Sequence, residues 1–170
     1  TNDDFANAAT ITGAPGSTTG NNLGATRETN EPDHSPSAGD GINSIWYQWT
    51  APAAGRTSFD TLGSDFDTVL SVYTGNAIND LTHVGNSDDA SLPGSGSTSQ
   101  VVFTATAGTT YRIALAAYDF ADPATGPTSL QWRQSAPCDG RAVTRDLSMG
   151  DPANGTNGND KLFGLGGNDI

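Results

Sequence analysis

"NSIWYQWTAP", residues Asn43–Pro52, decides the fold. In an extended chain successive side chains point to opposite faces. Ile45, Tyr47 and Trp49 therefore share one face, and Trp46 and Gln48 the other. Pro52 and Gly55 mark the turn that follows. "RTSFDTL" (Arg56–Leu62) alternates again, and "DTVLSVYTG" (Asp67–Gly75) is a β-branched run closed by a turn. "LTHV" (Leu81–Val84) reads as a short strand. "SQVVFTATAGTTYRIALAAY" (Ser99–Tyr118) reads as a hairpin about "AGTT", with Tyr111, Ile113, Leu115 and Ala117 on one face. "SLQWRQ" (Ser129–Gln134) is the last strand. Short strands at this spacing predict an all-β, antiparallel β-sandwich.

Composition agrees. The 170 residues include 21 Gly and 9 Pro, which supplies many turns. A chain of this length buries about 70% of its unfolded surface and needs no staple to fold. The polar loops are Gly24–Gly41, Gly85–Ser99 and Asp119–Thr128. Beyond Gln134 periodicity is lost. The expected organisation is a sandwich over 1–134, a linker over 135–154 and a repeat segment over 155–170. The net charge of −12, from 19 acidic and 7 basic residues, speaks against nucleic acid, whose phosphates need basic patches. No apolar run approaches the roughly 20 residues of a membrane span. Cys138 is the single cysteine and cannot close an internal disulfide, so its partner, if any, is expected elsewhere. With no leader and no initiator Met, a removed leader or a longer parent is expected.

The acidic residues fall in short groups mixed with Asn and Ser: "NDDF" (Asn2–Phe5), "RETNEPD" (Arg27–Asp33), "SDFD" (Ser64–Asp67) and "NSDD" (Asn86–Asp89). Such groups offer the six to eight oxygen ligands that calcium takes. Two carboxylates about 4 Å apart repel by roughly 4 kcal/mol at an effective dielectric near 20, so groups that meet call for a cation or a proton. Groups that stay apart are solvated turns. Catalytic patterns are missing: there is no G-x-S-x-G elbow and no H-E-x-x-H, and His34 and His83 stand in unrelated contexts. A carboxylate pair for glycoside hydrolysis is not selected by any feature. Strand aromatics are mostly core. If some form a sugar- or protein-binding surface, Trp46, Tyr118 and Trp132 are its expected members.

In order, "NDDFANAATI", "GATRETNEPDH", "SIWYQWTAPAAGRTSFDTLGSDFDTVLSVYTG", "LTHVGNSDDA" and "VVFTATAGTTYRIALAAY" resemble the bacterial pre-peptidase C-terminal domain over about residues 1–134. The resemblance implies a jelly-roll-like sandwich that is non-catalytic and attached to secreted bacterial proteins. Relatives bind calcium and collagen, and others are suggested to bind polysaccharide. Carried over by motif, the implied calcium ligands are Asn2, Asp3, Asp4, Glu28 and Glu31, with Asp40 from the end of the loop. Asp67 of the Phe-Asp-Thr motif, and Asp88 and Asp89 of a loop one residue longer than the family's, join the candidates. The closing "GTNGNDKLFGLGGNDI" (Gly155–Ile170) resembles the calcium-binding repeats-in-toxin nonapeptide, with Asp160 and Asp169 at the ligand position and Leu162 at the aliphatic one. Thr156 and Leu165 stand where that pattern has its second glycine, and fewer than two repeats are present.

The expected function is a secreted, calcium-binding module that attaches to an extracellular polymer, polysaccharide or protein. The alternative is a subunit of an extracellular fibre or surface layer that associates with copies of itself. A glycoside hydrolase comes third.

Overall fold

The computed structural model describes residues 2–35, 41–90, 96–118 and 125–135. A 3₁₀ turn (Phe5–Asn7) precedes nine strands: β1 (Ala9–Ile11), β2 (Gly16–Asn21), β3 (Ile42–Thr50), β4 (Gly55–Asp60), β5 (Thr68–Thr74), β6 (Thr82–Ser87), β7 (Gln100–Ala105), β8 (Thr110–Ala117) and β9 (Pro127–Gln134). They form a five-stranded sheet, β1-β3-β8-β5-β6, and a four-stranded sheet, β2-β9-β4-β7. All pairings are antiparallel except β1–β3, which is parallel.

The alternation read in "NSIWYQWTAP" sorts the side chains as expected. Ile45, Tyr47 and Trp49 join Leu70 and Val72 of β5 and Tyr111, Ile113 and Leu115 of β8 on the inner face. They meet Phe59, Val101, Leu130 and Trp132 from the other sheet, which makes the sandwich core. Trp49 packs edge-on against Phe59, with ring centroids 5.4 Å apart.

Ser99–Tyr118 is not a hairpin. β7 lies in the four-stranded sheet and β8 in the five-stranded one. The chain arches between them, pinned where Gly108 N donates to Ala51 O (2.9 Å) and Ala51 N donates to Thr109 O (3.0 Å). Phe103 and Tyr111 then face each other across the core, centroids 4.8 Å apart. Alternation gives each strand an apolar face, and two such faces pair across a core as readily as they align within a sheet. β1 and β2 were not expected either. β2, "GSTTGN", is polar, and it can lie beside β9 because Gly16 has no side chain: a Cβ there would sit 2.2 Å from the Trp132 ring.

Candidate functional site

The outer face of the five-stranded sheet is also covered. A bulge at Ile42–Ile45, with Asn43 at φ 52°, resets β3 so that Ser44, Trp46 and Gln48 point outward. Asn43 holds the bulge by donating from Nδ2 to Ala25 O (2.7 Å). Trp46 is fully buried among Phe5, Tyr73 and Ala114. His34 packs edge-on to it, centroids 5.4 Å apart.

Two segments distant in sequence make this cover. Asn2 and Trp46 exchange bonds: Trp46 N donates to Asn2 O (2.7 Å), and Asn2 Nδ2 donates to Trp46 O (2.9 Å). Asp3 Oδ1 accepts from Thr26 N (2.7 Å), and Glu28 accepts from Phe5 N. Glu31 lies beneath, buried, with Oε2 accepting from Glu28 N (2.7 Å). Its Oε1 accepts from His34 Nε2 (2.8 Å) and from the Ser44 hydroxyl. The other His34 nitrogen, Nδ1, pairs with the Tyr73 hydroxyl (2.9 Å). Burial would push the Glu31 carboxyl up, but the bonds from His34, Ser44 and Glu28 N–H, with the His34 charge, hold it below the ordinary carboxylate value. Burial pushes the Tyr73 phenol up to about 12.

A second acidic group lies at one end of the same sheet. Asp67 immediately precedes β5, and Asp88 and Asp89 follow β6, its antiparallel neighbour. Burial first, then the charges of Asp88 and Asp89, push the Asp67 carboxyl up to about 6. Asp67 Oδ1 is buried with no hydrogen-bond partner among the described residues. The main chain beside it is fastened: Tyr118 N donates to Asp67 O (3.0 Å), and the Ser99 hydroxyl donates to Asp88 O.

The sequence-derived candidates thus divide. Asn2, Asp3, Glu28 and Glu31 are brought together, but their polar atoms are engaged by protein donors and acceptors. Asp4 is exposed and accepts from Asn7 Nδ2 (3.1 Å). The charges of Asp88 and Asp89 act on the Asp67 carboxyl. Asp40, Asp160 and Asp169 lie outside the described residues, as do Cys138 and both C-terminal segments. Among the described residues no three acidic, His or Cys side chains form a metal-holding cluster. Trp46 and Trp132 offer no surface to a ligand: Trp46 is enclosed by the N-terminal cover, and Trp132 is 4% exposed with Nε1 bonded to Gly13 O (2.9 Å). Tyr118 remains partly exposed. His34 and His83 are not unrelated, since both rings pack on Tyr73, with centroids 5.9 and 5.5 Å away. Their common neighbour is on β5, and local sequence carries no sign of it.

Residues 43–117 match the family model of the bacterial pre-peptidase C-terminal domain. The resemblance read from the motifs is thus supported over the central part of the chain. Among solved structures the chain is similar to the pre-peptidase C-terminal domain of a collagenase from Bacillus anthracis, at 12% identity over 75% of this chain and 94% of that one, TM-score 0.42. It is also similar to Aeromonas hydrophila PliG, a periplasmic inhibitor of g-type lysozyme, at 18% identity over 75% and 97%, TM-score 0.44. Salmonella Typhimurium PliG aligns at 11% identity over 75% and 100%, TM-score 0.38. No curated protein matches the chain.

Proposed function

We propose that this chain is a non-catalytic accessory module of a secreted protein, stabilised by calcium and serving to fasten its parent to an extracellular polymer. The observation that carries the calcium reading is the Asp67 carboxyl, pushed up to about 6 beside Asp88 and Asp89, with a buried oxygen that no donor among the described residues reaches. A divalent cation relieves that repulsion and desolvation together. Two or three carboxylates, backbone carbonyls and water would complete the six to eight oxygens of a calcium shell. The N-terminal set fits an ion less well, because Asp3, Glu28 and Glu31 already accept amide and hydroxyl protons. Their role in this reading is to strap the N-terminal segment to the sheet.

Calorimetric titration with calcium, on the 170-residue chain and on Asp67→Asn, tests the assignment. The wild-type chain should bind and melt higher, by about 2.7 kcal/mol of stability at a hundredfold excess over Kd, and the variant should do neither. Equal melting with calcium and with EGTA, without heat of binding, would remove calcium from the account. Attachment is tested separately, by co-sedimentation with insoluble polysaccharides and collagen.

A further inference from the structure

On the outer face of the five-stranded sheet, away from the acidic end, a cavity of about 290 Å³ opens between the 3₁₀ turn and the loop after β5. Arg112 of β8 stands in its wall with Gln48, Asn76, Phe5 and the small side chains Ala6 and Ala77. The register puts Arg112 directly between Gln48 of β3 and Tyr73 of β5. Its guanidinium is held on three sides. It lies 4.9 Å from the centroid of the Phe5 ring. Nη1 donates to Gln48 Oε1 (2.7 Å), and Gln48 is fixed in turn by donating from Nε2 to Thr10 Oγ1 (2.7 Å). Nε donates to Gly75 O (3.4 Å), at a turn where φ is 127° and a Cβ would meet Asp80 O at 2.6 Å. Glycine is required there, so the carbonyl that receives Arg112 is fixed by the backbone.

A guanidinium carries five N–H donors, and these bonds engage two. No carboxylate among the described residues pairs with Arg112, whereas Arg133 is paired with Asp60 at 3.3 Å. In a chain of net charge −12, a partly buried cation with no carboxylate paired to it among the described residues, held beside a cavity, is out of keeping with its surroundings. Burial pushes the Arg112 charge toward lower pKa, a cost that a bound anion offsets.

We propose that this cavity binds the carboxylate of a uronic acid unit in an acidic polysaccharide, with Arg112 as the charge partner and the Gln48 and Asn76 amides facing the ring hydroxyls. The proposal rests on the reading of the chain as a polymer-attachment module and names the chemistry of the polymer. The volume lies just below the about 300–1,000 Å³ spanned by typical ligand sites and suits one ring. Arg forks match a planar carboxylate bidentately. An acidic peptide is less well served: the cavity lies over β3 and β8, interior strands of the sheet, and an extended peptide binds by adding to a sheet edge. The overall negative charge opposes an acidic chain only at range, since the screening length is about 8 Å at physiological ionic strength.

The test is a titration of the 170-residue chain with trigalacturonate, neutral galactotriose and a poly-glutamate peptide, followed by heteronuclear NMR shifts and calorimetry. Trigalacturonate should bind, with shifts centred on Gln48, Asn76 and Arg112, and galactotriose should bind at least about 10-fold more weakly. Arg112→Gln should weaken trigalacturonate by about 10- to 100-fold. Ala77→Tyr, an exposed position that narrows the cavity without touching the guanidinium, should do the same with an unchanged melting temperature. Equal binding of acidic and neutral trimers, binding untouched by both variants, no binding of trigalacturonate at millimolar concentration, or preference for poly-glutamate would each overturn the proposal. If insoluble polysaccharide or collagen still co-sediments with Arg112→Gln to the wild-type extent, attachment stands and the uronate assignment alone falls.

Discussion

Glu31 and Asp67 are both acidic and both lie beside strands of the five-stranded sheet, yet folding moves their protonation in opposite directions. Glu31 is the more buried, at 7% exposure, and its carboxyl is lowered because every oxygen meets donors: the amide of Glu28, the ring of His34 and the hydroxyl of Ser44. Asp67 is less buried, yet its carboxyl is raised, first by burial that no donor on Oδ1 among the described residues offsets, then by the charges of Asp88 and Asp89. Burial alone does not set the sense of a shift; the count of donors does. One carboxylate is a finished structural bond, and the other is an unfinished one that a proton or a cation completes.

The largest expected effects break the finished side. Trp46→Ala should cost about 3–5 kcal/mol by chemical denaturation, because it empties the centre of the outer cluster. Glu31→Ala should cost a similar or slightly smaller amount, about 3 kcal/mol, since His34, Ser44 and the Glu28 amide lose their common acceptor. Hydrogen exchange should report this first at Phe5 and Thr26, whose amides hold the strap.

The unfinished side should respond in the reverse sense. The Asp67 pKa is raised on folding from the ordinary 3.8 to about 6. The folded state therefore binds the extra proton, and its contribution to stability is present below about pH 4 and lost as pH rises toward 6 and beyond. Asp67→Asn should stabilise the metal-free protein at pH 7 and flatten the melting profile between pH 4 and 7. Glu31, with a lowered pKa, contributes stability above pH 4.5 that is lost as pH falls through its folded value. Melting in EGTA across pH 3 to 7 should resolve the two trends, and Glu31→Gln should remove only the acid limb. The smallest effect is expected from Gly16→Ala, whose new Cβ meets the Trp132 ring: a loss of about 1–3 kcal/mol if β2 is forced away from β9.

The strands from Ile42 to Thr74 were legible because β3 and β4 alternate and β5 is a β-branched run closed by a turn, and each outward or inward assignment in β3 held. Sequence alternation says that a strand has two faces but not what lies against each. Trp46 was therefore read as an accessible aromatic, when Phe5 and His34, contributed by other segments, close over it. β2 gave no signal because its residues are small and polar, and its place depends on the room Gly16 leaves for a ring on β9. The acidic groups were visible as clusters, but whether their oxygens point at amides or at one another is decided by chain path. Arg112 was invisible as a site for the same reason: "TYRIALAAY" shows one charged residue on an apolar strand, and only the register with Gln48 and the turn at Gly75 shows that it is held in place.

The reciprocal bond pair between Asn2 and Trp46 has a mechanical consequence. A load applied ahead of Asn2 is passed to β3, an interior strand, before it reaches β1 at the edge. Tension there must break the polar strap and draw Phe5 out from the cluster around Trp46. A chain joined at that point is coupled to the interior of the sheet rather than to its edge.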